Sequence, residues 1–433
     1  MHLRATLAAL GLTFGWAAGH DETTLFRDRS VSMGLFSDLE ELSRLCDISY
    51  CTSMFTGGVS GPFSCWSRCG EFPHLELVKD WRTGLSTHSD SGGYLALDHG
   101  RHRILVAFRG TINLAGMVAD FRLSPHEYTP FPGSEDQATG KTVVGRRDSH
   151  VEHVARCPDC TIHAGFARVW NNTRIHIIDA VAKQVAQYPE YELHLVGHSL
   201  GAAVAAFAAL DFNARQWQPW ITTFGEPRIG NAATNKHIDS VFRLNEDPDA
   251  NVSRDQNTFR WRRVTRVNDP IPLLPPTEWG FGMHAGEIYI TKPSLSPSAD
   301  DLKHCKGAFD KKGIAGEDPS YPEKLETAML ESKGIWGALK ESVPKLFASM
   351  MRWDLSHRYR FWEVLIAHRD YFWRLGLCVP GGDPTGGGGH FPELAEWRLE
   401  HGIKNSSGPK ADASQEINKR MESKTKMNAQ KEL

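Results

Sequence analysis

Residues 191–210 constrain the fold more than any other part of the chain. Leu193 and Leu195 alternate with polar neighbours over 191–196, the period of a half-buried strand, and 202–210 is an unbroken apolar run that reads as a buried helix. Between them stands Gly197-His198-Ser199-Leu200-Gly201, a G-x-S-x-G turn leading directly from strand to helix. A serine placed there is held on a strained turn with its hydroxyl projecting, and a glycine on either side keeps any Cβ from crowding the strand and helix that meet. The same serine could simply cap the helix. Short glycine–serine patterns also arise by chance, so the rest of the chain must decide.

Strand-like and helix-like segments alternate from about residue 92 to 290: GGYLALD, HRILVAFRG, a helix over 166–188, the elbow unit, WITTFGEPRIGN, FRWRRVTRVNDPIPLLPP and GEIYIT. That alternation predicts an α/β fold with a mostly parallel sheet covered by helices. Two polar stretches, 125–155 and 293–344, interrupt it and read as surface insertions. The glycine- and proline-rich run over 379–389 reads as a flexible break. Apolar residues are scarce after Leu399, so 379–433 is expected to be a tail without a core. With 433 residues, 40% of them hydrophobic, the chain can bury a large core.

The amino terminus pairs a basic start (His2, Arg4) with an apolar stretch over 5–18 and the small residues Ala17-Ala18-Gly19, the layout of a signal peptide removed after residue 19. The stretch is too short to span a bilayer, so no integral membrane span is expected. A secreted chain changes how its eight cysteines are read: Cys65 with Cys69, and Cys157 with Cys160, are spaced to close small disulfide loops. Cys157 and Cys160 could instead be half a zinc site, but no second C-x-x-C completes four ligands, and no metal is expected. Sequons begin at Asn171, Asn251 and Asn405. A net charge of −3 gives no attraction to polyanions, and nucleic acid is not an expected partner.

A hydroxyl at the elbow needs a base and a carboxylate to orient it, in the order Ser, acid, His along α/β-hydrolases. Asp269 follows the strand-like WRRVTRV and precedes PIPLLPP, whose prolines stop the strand and fix the loop presenting the carboxylate. Six histidines come later. His390 and His401 lie in the tail and His304 in an insertion, while His368 sits in the apolar, aromatic VLIAHRDYFW, where burial and a carboxylate could hold an imidazole near neutral pKa. A lone histidine in such a setting is usually structural; the order Ser199, Asp269, His368 raises it above that.

VGHSLGAA, FGEPRIGN at 224–231, VNDPIPLLPP at 267–276, HAGEIYI at 284–290, HAGF at 163–166 and AHRDYFW at 367–373 together resemble the class 3 lipases, the secreted fungal triacylglycerol lipases and related feruloyl esterases. The match runs from about residue 47 to 378. It implies an α/β-hydrolase domain over 20–378, with Ser199 as nucleophile, Asp269 as acid and His368 as base. By the same resemblance Thr111, after Arg109-Gly110, and the backbone N–H of Leu200 form the oxyanion hole, and Cys51 pairs with Cys378. Cys46 and Cys305 are left over, paired together or free. Both insertions are longer than in compact relatives, which leaves the shape of the acyl and alcohol pockets open, while loops of this size cost little extra closure entropy. The terminal QKEL matches a retrieval signal only loosely, since Lys431 stands where an acid is expected.

The expected activity is that of a secreted, extracellular serine carboxylester hydrolase, foremost a triacylglycerol lipase, needing no cofactor. Feruloyl or phospholipid esters are the alternative substrates, and a non-catalytic secreted binding protein on the same fold is the alternative class. Leu114, Met117, Val118 and Phe121 recur at i, i+3, i+4 and i+7, so a short helix there would carry one apolar stripe. Such a stripe could face a core, but the family places a mobile lid at this position. The expected partner is then a lipid–water interface as well as the ester itself.

Overall fold

The computed structural model describes residues 30–53, 56–83, 91–111, 125–128, 157–244, 259–317, 366–384 and 391–403. In chain order the helices are α1 (Met33–Ile48), α2 (Ala164–Gln187), α3 (Leu200–Ala214), α4 (Ala232–Phe242) and α5 (Pro392–Glu400). The strands are β1 (Leu75–Arg82), β2 (Gly92–Asp98), β3 (Arg103–Phe108), β4 (Pro125–Glu127), β5 (Thr161–His163), β6 (Glu192–His198), β7 (Trp220–Phe224), β8 (Trp261–Arg266), β9 (Glu287–Ile290) and β10 (Leu302–His304).

Eight of them form one sheet in the order β1-β2-β3-β6-β7-β8-β9-β10. β3, β6, β7, β8 and β9 run parallel, while toward the edges β1 pairs antiparallel with β2, β2 with β3 and β10 with β9. Parallel strands covered on both faces bury both sets of side chains, which is why β3 and β8 are buried at every position. One face carries Leu95, Val106, Leu195, Ile221 and Trp261 against α2 and α3. The other carries Ala96, Leu105, Val196, Phe224 and Val264 against α1 and the segment around Tyr371–Leu375. Helix α3 is buried from Gly201 to Phe212 and apolar there on every side but for Asp211, as a helix wedged between a sheet and a second helix must be.

Two expectations need correction. The second insertion is not wholly a surface excursion: β10 extends the sheet on β9, and Ala299, Leu302, Ile314 and Ala315 are buried. A three-residue strand and isolated apolar residues are too sparse to show periodicity. Nor does the chain lack a core after 379. Helix α5 buries Leu394 and Arg398; Arg398 donates to Oε2 of Glu40 on α1 at 2.8 Å, and the Phe391 ring packs edge-on against Phe36. A few apolar contacts from Phe391, Leu394 and Trp397 and the bonds of Arg398 fix this helix, a signal that composition does not carry.

Three disulfides join Cys51 to Cys378, Cys65 to Cys69 and Cys157 to Cys160, so the last pair is not part of a zinc site. Cys46 and Cys305 are both free thiols. Asn171 lies exposed on α2, whereas Asn251, Asn405, the proposed leader 1–19 and most of both insertions lie outside the described residues. Among the described residues no helix is long and apolar enough to cross a membrane.

Candidate active site

Ser199 joins β6 to α3 with φ 60° and ψ −127°, a conformation costly for any residue with a Cβ. It persists because the surroundings fix it. Its N–H donates to the Phe224 carbonyl at 3.0 Å, and its own carbonyl accepts from Ala202 at 2.9 Å. A Cβ on Gly201 would lie 2.2 Å from the Phe108 carbonyl oxygen, so helix and strand can meet this closely only over glycine. The serine makes no side-chain cap to α3, and the capping alternative is not realised.

Asp269 and His368 come together from 99 residues apart: Nδ1 of the imidazole lies 3.0 Å from each carboxylate oxygen. Tyr371 O–H donates to Oδ2 at 2.6 Å and the Ile271 N–H to Oδ1 at 3.0 Å. Burial alone would raise this carboxyl; the imidazole, the tyrosine hydroxyl and the backbone N–H outweigh it and hold Asp269 below the usual carboxylate range. Burial first, and then the carboxylate, push the Tyr371 hydroxyl well above its ordinary value, so it remains a donor. Facing a carboxylate, Nδ1 carries the proton. That leaves the lone pair on Nε2, which is buried without a hydrogen-bond partner among the described residues.

His198 ties base and elbow together. Its Nε2 donates to the His368 carbonyl at 2.7 Å, so its Nδ1 accepts from the Tyr50 hydroxyl at 2.6 Å, and its ring stacks on that of His368 with centroids 4.6 Å apart. Burial and the neighbouring His368 push its pKa down to about 3, which keeps it neutral in this tautomer. Ser199 follows it directly. The end of β7 closes the other side, where a Cβ on Gly225 would lie 2.7 Å from Cε1 of His368.

At the end of β3, a Cβ on Gly110 would come within 3.1 Å of Ser199 Cβ, so Thr111 is the next residue along a backbone already packed on the elbow. Leu200 is the first residue of α3, where backbone N–H groups have no partner within the helix. Leu114, Met117, Val118 and Phe121 lie outside the described residues. Of the other histidines, His284 is committed elsewhere, with Nε2 2.9 Å from Glu226 and Nδ1 2.7 Å from the Ala285 carbonyl, and His401 bonds the Trp397 carbonyl. Sequence reasoning missed Tyr371, Tyr50 and the bracing use of His198. Nothing local marks either tyrosine, and Tyr50 is 148 residues from its partner.

A mostly parallel sheet between helices, with a serine on a strained strand-to-helix elbow, defines an α/β-hydrolase. Residues 105–279 match the class 3 lipase family. A secreted mono- and diacylglycerol lipase 2 from Gibberella zeae is 42% identical over 82% of this chain and 85% of its own, and Lipase A from Sodiomyces alcalophilus is 40% identical over 90% and 93%. Among solved structures, Lip2 lipase from Yarrowia lipolytica is similar at a TM-score of 0.60 with 25% identity, covering 81% of this chain and 97% of that one. The chain belongs to the class 3 lipase family, and it is a carboxylic ester hydrolase.

Proposed function

We propose that this chain is exported, carries 1–19 as its leader, and hydrolyses acylglycerol esters through Ser199, His368 and Asp269. The observation that carries the reading is the Asp269–His368 pair, ionised carboxylate to Nδ1–H, beside an elbow serine and with Nε2 left as the proton acceptor. Ser199 Oγ attacks the ester carbonyl carbon while His368 Nε2 takes its proton, and Asp269 stabilises the imidazolium. The Thr111 and Leu200 N–H groups meet the oxyanion. His368 then returns the proton to the departing alcohol oxygen. Water repeats the sequence on the acyl-enzyme and releases the acid.

Mono- and diacylglycerols come before triacylglycerols as candidate substrates, since the Gibberella zeae relative is named for them. The stripe Leu114, Met117, Val118 and Phe121 serves as a lid that opens on a lipid surface. Rates of the purified protein on mono-, di- and triacylglycerol emulsions, phospholipid and methyl ferulate test the substrate class. Faster turnover of partial acylglycerols is expected; preference for methyl ferulate or phospholipid would overturn it.

A further inference from the structure

Between β8 and Asp269 the chain passes through Val267 and Asn268, the latter at φ 67°. A non-glycine residue stays in that left-handed region only where its neighbours fix it. The Val267 N–H is taken by the Ile290 carbonyl on β9, and the Asp269 N–H by that of Arg266. The N–H between them, that of Asn268, goes to Oε2 of Glu317 at 2.9 Å. The other oxygen of Glu317 accepts from the Tyr289 hydroxyl on β9.

Glu317 is itself anchored. It ends the 3-10 turn Ile314–Glu317, whose Ile314 is fully buried and donates its N–H to Oε1 of Glu287 at 3.1 Å; that same buried carboxylate receives the Thr265 hydroxyl from β8. The part of the second insertion that joins the sheet therefore delivers one carboxylate to the residue immediately before the acid of the site.

We propose that Glu317 is a positioning residue for Asp269, holding the Asn268 backbone so that the carboxylate meets Nδ1 of His368. This rests on the reading of Ser199, His368 and Asp269 as the catalytic set. Glu317 touches neither the imidazole nor the serine. Its effect passes through one backbone N–H, and it falls on turnover rather than on ester binding.

Hydrolysis of a dissolved short-chain ester by the full-length protein, normalised to folded enzyme, tests this. Glu317→Ala should lower kcat about tenfold with KM unchanged, the scale of a sub-ångström misplacement. Glu317→Gln should stay within about twofold, because its amide oxygen still accepts from Asn268 while its NH2 can donate to the Tyr289 oxygen. In an Asp269→Asn background Glu317→Ala should cost nothing further. Should Glu317→Ala fail to fold, Tyr289→Phe, which loosens the same carboxylate, should lower kcat less but also only while Asp269 is present. An unchanged kcat in the alanine variant, an equal loss in the glutamine variant, or an undiminished loss in the Asp269→Asn background overturns the proposal. Parent-level activity in Asp269→Asn alone would overturn the catalytic assignment beneath it.

Discussion

Tyr371 donates its hydroxyl to the carboxylate of Asp269 at 2.6 Å, three residues after the histidine that shares that carboxylate. One short segment thus supplies both the partner of the acid and the donor that keeps it ionised. Tyr371→Phe should lower kcat on a dissolved ester several-fold and destabilise the fold by about 1–3 kcal/mol at neutral pH, as for loss of a hydrogen bond to a charged group. The folded carboxyl lies below its unfolded value, so its stabilisation is present above about pH 4 and disappears as pH falls through the folded pKa. The gap between parent and variant in urea unfolding should accordingly narrow in strong acid.

His198 has a linkage of the same sign in a higher pH window, because here it is the neutral form that the fold favours. Its folded pKa of about 3 lies below the unfolded value of 6.5, so below pH 6.5 the unfolded chain takes a proton that the native one refuses. Stability is lost as pH falls across that window, with a slope from this residue approaching 1.4 kcal/mol per pH unit. Replacing it by Asn should remove about that much slope between pH 5.5 and 4.5 in urea titrations, and lower turnover because the His368 carbonyl loses its donor. Parallel pH–stability curves would contradict the neutral, two-bonded assignment.

Helix α5 is held by Arg398, which reaches Glu40 at 2.8 Å and Ser37 at 3.1 Å. Glu40 also accepts from Arg44 and from Trp373, five residues beyond the base. Arg398→Ala should lower stability by about 1–3 kcal/mol, the scale of a lost charge-assisted bond, and leave the KM of a dissolved ester unchanged. Thermal unfolding beside a kinetic assay checks it.

Much of the centre was legible in the sequence because local chemistry determined it. The elbow needs two glycines around Ser199, and Asp269 is fixed by a strand end and a proline-rich loop, so each left a short readable pattern. The supports did not. Tyr50 braces His198 and Glu317 braces Asn268 through single hydrogen bonds between residues distant in sequence, and nothing local distinguishes either side chain from its neighbours. Helix α5 and β10 were missed for a related reason: each is fixed by a few tertiary contacts, and neither has a periodic pattern of its own.

The lid reading predicts a kinetic signature. Uncovering the stripe in water exposes about 1.5–3 kcal/mol of apolar burial per large side chain, a cost that a lipid surface removes. Activity on a poorly soluble ester should therefore rise sharply past its solubility limit. Changing Met117, Val118 and Phe121 together to Ser should flatten that rise while sparing a dissolved ester. Hyperbolic kinetics straight through the limit in the parent would rule the lid out.

The assignment of Ser199 as nucleophile is tested most directly by the rate of ester hydrolysis in Ser199→Ala against the parent protein, with the variant shown to be folded by its unfolding transition. Removing the nucleophile leaves only the oxyanion site and binding, so the rate should fall by about 10⁴-fold or more. A folded variant that retains more than about a tenth of the parent rate would contradict the assignment.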